Sequence, residues 1–397
     1  MKTKLSLAVA AALLAGASSA NAGIMIPAGD WTLDIGGIVN AYYTETRQTG
    51  NFSNGSAPLG ISNDTGTRST SNITTGLLPN YLSVSGKTRQ NDLDVGFTIS
   101  LNPGASTTQG GRQSAQQENR QAFLTFGDKS WGSIKLGKDL GIYASDAILN
   151  DMTLLGVGSA AGGLAGNTTT LGRIGTGFMY ADWKSQAAYS SPNWNGFSFT
   201  GGVTQAWNAV NALGFSTGTN QRGGAAPAFE GKASYEWAGD FGGKVWVSGI
   251  TQKVVGVNDR AESADIGATV NVAGFGLTGY YYGGSGIGQT LQLFDGFDAN
   301  KNARDSDGYY VQGTYTIPGV GTKLGLSYGE SNLDANGAGD LLGDVNDRMW
   351  TIGAYHPITK HLNLVAEYSD VKHEIESATV NTSGKSKTLS LGAILFF

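Results

Sequence analysis

The chain has 397 residues, with 61 glycines, no cysteine and a formal net charge of −5 at pH 7. The absence of cysteine excludes a disulfide framework and thiol chemistry, and the negative charge argues against nucleic acid as a partner. Charged residues make up 14% of the chain, well below the ~25% that is typical of soluble domains. This low share weakly favours a membrane protein over a soluble one.

The first 22 residues have the pattern of a secretory signal peptide. Two lysines give a basic start, an apolar stretch follows, and an Ala-Asn-Ala sequence at positions 20–22 fits the small-residue cleavage site. We expect residues 1–22 to be removed and residues 23–397 to form a single domain. No later stretch reaches the roughly 18 apolar residues that a membrane-spanning helix requires. The exported chain is therefore expected to be either soluble or a β-barrel.

About sixteen segments alternate apolar and polar residues with the period of two that a β-strand imposes. The last of them, residues 386–397, carries Leu389, Leu391 and Leu395 on one face. An apolar strand at a free edge invites aggregation, so we expect it to pair with the first segment and to face lipid. In chain order, the predicted strands are 30–47, 80–90, 93–102, 118–127, 131–138, 184–191, 196–206, 228–238, 242–253, 261–272, 275–283, 306–317, 321–330, 348–356, 361–372 and 386–397.

Short and long connections alternate between these strands. Seven are tight turns, such as Asn91-Asp92 and Ala273-Gly274, and eight are longer, among them residues 48–79, 139–183 and 284–305. Short turns at one end and long loops at the other are the layout of an outer-membrane barrel. About sixteen strands would leave an aqueous channel, whereas a barrel of eight would be filled by its own side chains. A soluble β-sandwich or β-helix is the alternative fold.

The stretch that begins at Asn119, NRQAFLTFGDKSWGSIKLGKDLG, is followed by LNDM, LGRIG and QAAYSSPNWNGFSF. In this order, the motifs resemble the Gram-negative general porins. The resemblance implies an all-β transmembrane barrel of sixteen antiparallel strands, with short periplasmic turns, long extracellular loops and a third loop, residues 139–183, folded into the pore. It also implies a homotrimer in the outer membrane, in contact with lipid and lipopolysaccharide, that passes ions and small hydrophilic solutes by passive diffusion. In that family, a terminal aromatic such as Phe397 is the signal read by the barrel-assembly machinery.

The same resemblance marks residues of a pore constriction, where basic side chains on the wall face acidic side chains on the third loop. Arg120 matches the wall arginine at a strand start, Arg173 matches the arginine just beyond the loop, and Asp151 matches one loop acid. The chain departs from the family at two positions. The second loop acid is missing, and Tyr81 occupies the place of a wall arginine, so the resemblance leaves pore size and selectivity open.

Strand parity directs charged side chains into the lumen, because a charge that faces lipid at the bilayer midplane costs about 2–4 kcal/mol. We expect Lys87 and Arg89 to add to the basic side of the constriction and Asp146 to add to its acidic loop side. The alternative is that most of these charges only remain solvated. The charges expected to face the lumen include Lys87, Arg89, Arg120, Lys135, Glu230, Lys232, Glu236, Lys323, Glu367 and Lys387.

The sequence carries no pattern that indicates catalysis. No Gly-x-Ser-x-Gly nucleophile elbow between a strand and a helix and no paired catalytic carboxylates stand out, and the three histidines have no metal-ligand spacing. We therefore expect a channel that is not an enzyme and that uses no metal or other cofactor. The alternatives are a substrate-preferring channel, a non-conducting barrel that acts as an adhesin or structural anchor, and a soluble secreted β-protein.

Overall fold

A computed structural model describes residues 23–50, 69–106, 117–161, 169–211, 226–257, 259–337, 339–377 and 381–397. Within these ranges, nineteen strand segments form one antiparallel sheet that closes on itself. The segments are β1 (Ile24–Ala28), β2 (Trp31–Gly50), β3 (Ser69–Thr74), β4 (Tyr81–Gln90), β5 (Leu93–Pro103), β6 (Gln117–Glu118), β7 (Ala122–Asp128), β8 (Gly132–Leu140), β9 (Trp183–Ser190), β10 (Phe197–Thr204), β11 (Ala228–Trp237), β12 (Phe241–Lys253), β13 (Arg260–Val272), β14 (Phe275–Ser285), β15 (Asp305–Thr316), β16 (Lys323–Leu333), β17 (Asp344–Pro357), β18 (Leu362–Glu376) and β19 (Asn381–Phe396).

The nineteen segments make sixteen barrel strands, because three of the barrel strands consist of two segments each. β3 and β4 pair with successive parts of β2, and β6 and β7 pair with successive parts of β5. β1 and β19 pair with the same edge of β2. β1 pairs with the first residues of β2 and β19 pairs with the rest, so β1 and β19 together form one barrel strand. The predicted barrel of about sixteen strands is confirmed, whereas β1 and β3 were not predicted. The predicted signal peptide lies outside the described residues.

The chain ends close the barrel. β19 runs antiparallel to β2, with Leu395 opposite Val39 and Leu391 opposite Tyr43. Phe397 continues this ladder, since its carbonyl oxygen accepts a hydrogen bond from the Gly37 nitrogen at 2.8 Å and its own nitrogen donates to the Gly37 oxygen at 3.0 Å. The predicted pairing of the last strand with the first is therefore present in the structure.

Tight turns join the strands at one end of the barrel. Asn91 and Asp92 have φ angles of 49° and 62°, and Ala273 and Gly274 have φ angles of 49° and 86°. Positive φ at both central residues is what a two-residue type I′ hairpin requires, because its twist matches that of the strands. Both turns lie where the sequence predicts them, and they fix the register of the flanking strands.

The two faces of the sheet differ in the way that the alternation predicts. Leu326, Ile352 and Leu277 point outward and keep 58%, 53% and 65% of their surface exposed, while Thr44 and Ser390 point inward and are buried. An exposed apolar band of this extent is costly in water and is typical of a surface in contact with lipid. None of the helices in the described ranges is long and apolar enough to cross a membrane.

One expected lumen charge lies on the wrong face. Lys387 has the same parity as Leu389 and Leu391, so it points outward, where it is exposed and pairs with Asp370 at 3.7 Å. Its position near the long-loop end of β19 allows this, because the charge stays beyond the apolar band formed by the leucines.

Candidate pore constriction

The connection between β8 and β9, residues 141–182, is called loop 3 here and is described except for residues 162–168. It contains a short helix, α1 (Ser145–Asn150), and a 3-10 helix (Met152–Leu155). Its side chains and backbone contact inward-facing residues of several barrel strands, among them Glu230 on β11 and Glu367 on β18. Loop 3 therefore lies inside the barrel and narrows the lumen.

A carboxylate on β11 holds the start of loop 3. The Glu230 Oε2 atom accepts hydrogen bonds from the backbone nitrogens of Ile142 and Tyr143 at 2.8 and 2.9 Å. Its Oε1 atom accepts from Lys184 Nζ at 2.5 Å and from Thr204 at 2.7 Å. A buried carboxylate is costly without partners, and here both oxygens are satisfied, so Glu230 fixes the loop start to the wall.

A second carboxylate, on β18, holds the middle of loop 3 in the same manner. The Glu367 Oε2 atom accepts from the nitrogens of Val157 and Gly158 at 2.7 and 2.9 Å, and its Oε1 atom accepts from the Tyr355 hydroxyl at 2.6 Å. Gly156 lies directly against this carboxylate, and a Cβ atom at that position would clash with it. Two glutamates on separate strands thus each bind two successive amides of loop 3.

Neutral side chains complete the attachment. The Gln312 amide accepts from the Met152 nitrogen at 2.9 Å and donates to the Asn150 oxygen at 2.6 Å. The hydroxyls of Tyr310 and Tyr42 donate to loop carbonyl oxygens at 2.9 and 2.8 Å. These contacts come from β15 and β2, so the loop is held from several sides of the wall.

Asp146, which the sequence places on the loop side of the constriction, forms ion pairs with the wall. It lies in the first turn of α1, where a carboxylate is also favoured by the helix dipole. Its Oδ2 atom is 3.1 Å from Lys232 Nζ, and its Oδ1 atom pairs with Lys244. The carboxylate is 3% exposed, while the two lysines keep 28% and 25% of their side-chain surface exposed. The groups that reach open lumen are therefore the lysines.

Asp151 and Arg173 are brought together but do not reach open lumen. Their closest approach is 3.8 Å, and neither side chain has any exposed surface. Asp151 caps the 3-10 helix by accepting from the Thr153 nitrogen at 3.0 Å, and the Arg173 guanidinium donates to the Met349 oxygen at 3.0 Å. In this arrangement the pair attaches loop 3 to β17.

Arg120 also lies at the edge of loop 3. Its guanidinium pairs with Glu118 at 2.6 Å, donates to Thr169 at 3.3 Å and stacks 5.7 Å from the Trp183 ring centroid. Only 6% of the residue is exposed. From its place between β6 and β7, the side chain thus contacts loop 3 at Thr169 and the start of β9 at Trp183.

Lys87 and Arg89 lie far along β4, next to the Asn91-Asp92 turn. Arg89 pairs with Asp94 and Asp128, both at 2.9 Å. The structure shows no hydrogen bond or ion pair from either side chain to the described part of loop 3. Both side chains face inward, so they line the mouth formed by the short turns and not the level of the loop.

A second connection enters the lumen beside loop 3, which the sequence did not indicate. Between β14 and β15, residues 286–304 place Leu293 and Phe297 in the interior, each 1% exposed. The Thr290 oxygen accepts from the Tyr180 nitrogen of loop 3 at 3.0 Å. The Gln289 side chain donates to Asp347 on β17 at 2.6 Å. The outer half of the lumen is therefore partly filled by this connection.

Strand parity predicts Glu230, Lys232 and Glu367 on the polar face but indicates no role for them. The available signal was their inward position on membrane-spanning strands, where a charge without a partner is costly. Such a residue needs a partner, and loop 3 supplies it. Tyr81, at the place of a family arginine, is half-buried against the interior cluster that includes Ile38 and Leu78.

A closed barrel of sixteen antiparallel strands with an inward loop defines a class of protein, the outer-membrane diffusion channels. The family profile of Gram-negative porins matches residues 7–375. The chain belongs to this family, and the predicted family is confirmed. It is accordingly an outer-membrane channel for the passive diffusion of small solutes.

Solved structures of similar fold include three porins. The anion-selective porin of Comamonas acidovorans has a TM-score of 0.63 at 14% identity, covering 92% of this chain and 100% of its own. The outer-membrane channel DcaP of Acinetobacter baumannii has a TM-score of 0.68 at 16% identity, covering 95% and 100%. OmpT of Vibrio cholerae in a trimer form has a TM-score of 0.54 at 14% identity, covering 92% and 99%. No curated protein sequence matches the chain.

Proposed function

We propose that solutes diffuse through the space that loop 3 leaves beside the barrel wall, and that this space is the narrowest part of the channel. The observation that carries the proposal is the pair of glutamates, Glu230 and Glu367, each of which binds two successive amides of the loop. Charge-assisted hydrogen bonds contribute about 1.5–3 kcal/mol each. A loop held in this way has a fixed position and can define a fixed opening.

The charged lining of this opening differs from the one expected from the family. In our proposal, Lys232 and Lys244 stand on the wall side, while Asp146 on the loop is neutralised by them. Arg120, Arg173 and Asp151 hold the loop in place, and Lys87 and Arg89 line the mouth formed by the short turns. Small hydrophilic solutes would pass these groups without a binding step.

The experiment is conductance in planar bilayers, with purified folded protein and with a variant that lacks residues 148–166 of loop 3. We expect the wild type to give large, steady single-channel currents, and the deletion to give larger ones. A wild-type protein without current would refute the channel and favour an anchor or adhesin. Equal currents from both proteins would refute the role of loop 3 as the constriction.

We further propose a homotrimer in the outer membrane that contacts lipid and lipopolysaccharide. The trimer form of Vibrio cholerae OmpT supports this assembly by likeness of fold, and the outward apolar band supports the lipid contact. Delivery would use residues 1–22 as a signal peptide, and insertion would use the barrel-assembly machinery with Phe397 as its signal. We assign the protein no catalytic activity. Cross-linking in intact outer membranes, which should give a ladder ending at the trimer, tests the assembly.

A further inference from the structure

The second barrel strand, made of β3 and β4, leaves the wall between its two segments. Thr74 is paired with Tyr42 of β2, and Tyr81 is paired with Ile38. Six residues, 75–80, therefore stand opposite only three residues of β2, whereas an ordinary β-bulge adds a single residue. All six are buried, so the alternation of exposed and buried residues that marks the wall stops here. Residues 75–80 are called the inward segment below.

Two asparagines replace the missing ladder between β2 and the inward segment. The Asn40 Oδ1 atom accepts from the Gly76 nitrogen at 2.8 Å, and its Nδ2 atom donates to the Leu78 oxygen at 3.0 Å. The Asn40 backbone nitrogen donates to Asn80 Oδ1 at 2.6 Å. Asn40 is buried, and its side chain can accept and donate at the same time. One wall residue thus fixes the inward segment at three points.

Backbone groups of the inward segment that point away from β2 bind loop 3. The Leu77 nitrogen donates to the Gly156 oxygen at 2.8 Å, and the Gly76 oxygen accepts from the Thr170 nitrogen at 3.0 Å. The buried Leu77 side chain lies against Gly172, where an added Cβ atom would come within 2.3 Å of it. Gly172 also has a φ angle of 58°, a conformation that favours glycine. The contact therefore requires glycine on the loop side.

Loop 3 is held on nearly opposite sides of the barrel. Counting the sixteen barrel strands from β2, Glu230 on the eighth strand binds the start of the loop. Glu367 on the fifteenth strand, Tyr42 on the first and the inward segment on the second bind its middle part. The two groups of contacts lie nearly half of the circumference apart. Loop 3 thus spans the lumen, and its middle part ends against the inward segment.

Backbone groups of a membrane-spanning strand need partners, because the bilayer core offers no water. A strand that only closed the barrel would therefore keep its register with β2. We propose that the inward segment is a stop that sets how far loop 3 reaches across the lumen, and that Asn40 is the residue that positions this stop. The width of the passage then depends on the wall strand as well as on the loop. This inference rests on the proposed channel function and adds a positioning residue to it.

The first test deletes residues 76–78. The deletion leaves residues 75, 79 and 80 opposite residues 39–41 of β2, so the register of the second barrel strand with β2 becomes continuous. We expect single-channel conductance in planar bilayers to rise, because two leucine side chains leave the lumen and loop 3 loses both backbone bonds to the stop.

Heat-modifiable mobility shows whether the deletion variant is folded. An unchanged or smaller conductance of the folded variant would overturn the inference while leaving loop 3 as the constriction. Absence of current from the wild type would instead refute the channel itself.

The second test uses Asn40→Ala, which removes both side-chain bonds to the inward segment and keeps the length of the chain. Because the chain has no cysteine, Leu77→Cys introduces a single thiol, and its rate of reaction with a charged, water-soluble thiol reagent measures how often the segment leaves loop 3. We expect Asn40→Ala to raise this rate roughly tenfold, since two hydrogen bonds are lost. Conductance of Asn40→Ala without the added thiol should rise as well.

The matched control is Asn332→Ala on β16. Asn332 faces outward and accepts from Asn346 Nδ2 at 2.6 Å, so its replacement should change neither the thiol reaction rate nor the conductance. An equal rate in Asn40→Ala and the wild-type background would show that Asn40 does not position the inward segment. The same two measurements decide the inference if the deletion variant does not fold.

Discussion

At the scale of single residues, loop 3 depends on carboxylates that accept backbone amides. In Glu367→Gln, a single amide oxygen replaces two carboxylate oxygens, and the amide NH2 group would face the donors of Val157 and Gly158 or of Tyr355. The lost charge-assisted bonds are worth about 1.5–3 kcal/mol each. We expect loop 3 to loosen, so that single-channel currents become larger and noisier.

The control for this substitution is Glu330→Gln. Glu330 points outward on β16, where it accepts from Asn346 at 2.7 Å and Tyr328 at 3.0 Å, so it has no contact with the loop. Single-channel currents of the Glu330→Gln variant should match those of the wild type. Identical currents from all three proteins would show that Glu367 is dispensable for the position of loop 3.

A second prediction concerns Asp146, whose single carboxylate pairs with both Lys232 and Lys244 and balances one of their two charges. Asp146→Asn keeps the size of the side chain but removes its charge, so both lysines would present an unbalanced charge to the lumen. We expect the reversal potential to move towards anions, with a chloride-to-potassium permeability ratio about twice that of the wild type. The control is Asp370→Asn, which frees the outward-facing Lys387 and should leave selectivity unchanged. A shift towards cations in Asp146→Asn would contradict the prediction.

Strand parity predicts the face on which a charged residue lies, but it does not predict what covers that residue. The alternation places Glu230 and Glu367 inward, but it cannot say that loop 3 will cover them, because that contact joins residues about 90 and 210 positions apart in sequence. The family resemblance finds Arg173 and Asp151 at the loop, whereas their complete burial depends on the packing of Tyr310 and Met349 around them. Charge type and strand face are local properties, while exposure is a property of the assembled lumen.

At the scale of elements, the strands were predictable and the loops were not. Each strand is repeatedly in contact with both lipid and lumen, so its sequence must alternate, and the alternation can be read directly. β3 escaped prediction because it is six residues long and nearly uniform in polarity, reading STSNIT. Helix α1 has six residues, fewer than the two turns that a helical period needs to become visible.

The connection at residues 286–304 gives an element-scale prediction. Within this connection the backbone at Gly296 lies against that at Gly288, since a Cβ atom added at Gly296 would lie 2.8 Å from the Gly288 nitrogen. Residues 289–295 can therefore be removed without opening a gap, as in a compact Ω-loop. The deletion removes Leu293 from the interior and the bonds from Gln289 to β17. We expect single-channel conductance to rise, because the outer half of the lumen becomes wider.

The comparison that decides this prediction is with the loop 3 deletion. If the narrowest point lies at loop 3, shortening the 286–304 connection should raise conductance less than removal of residues 148–166 does. A larger increase from the shorter deletion would place the narrowest point in the outer half of the lumen. A fall in conductance would mean that the connection supports loop 3 through Tyr180 and does not obstruct the passage.

At the scale of the whole molecule, closure of the sheet brings together groups that are far apart in the chain, such as Glu367 and the amides of loop 3. The net charge of −5 says nothing about the lumen, because many of the acids lie in the long loops, such as Asp298, Asp334 and Asp340. Lys232 and Lys244 meet Asp146 of loop 3 only inside the closed sheet. Closure in turn depends on the pairing of β2 with β19. It also depends on β1, which continues the strand of β19 along β2.

Phe397 stands at the point of closure, and its removal gives the last prediction. The deletion loses both backbone hydrogen bonds to Gly37 and the ring that covers this glycine, whose added Cβ atom would lie 2.7 Å from the Phe397 ring. Net backbone hydrogen bonds contribute about 0.5–1.5 kcal/mol each, which is small beside the contacts of fifteen further strand pairs. We therefore expect the truncated chain to refold in detergent nearly as well as the wild type.

In cells, we expect a different result for the same truncation, because a terminal aromatic also serves as the proposed assembly signal. Heat-modifiable mobility of outer-membrane fractions should show little folded protein from the truncated chain and normal amounts from the control Phe397→Tyr, which keeps the ring and the backbone. Loss of folding both in detergent and in cells would assign Phe397 to closure alone. Normal insertion of the truncated chain in cells would remove the assembly role, leaving Phe397 as the last residue of the closing strand.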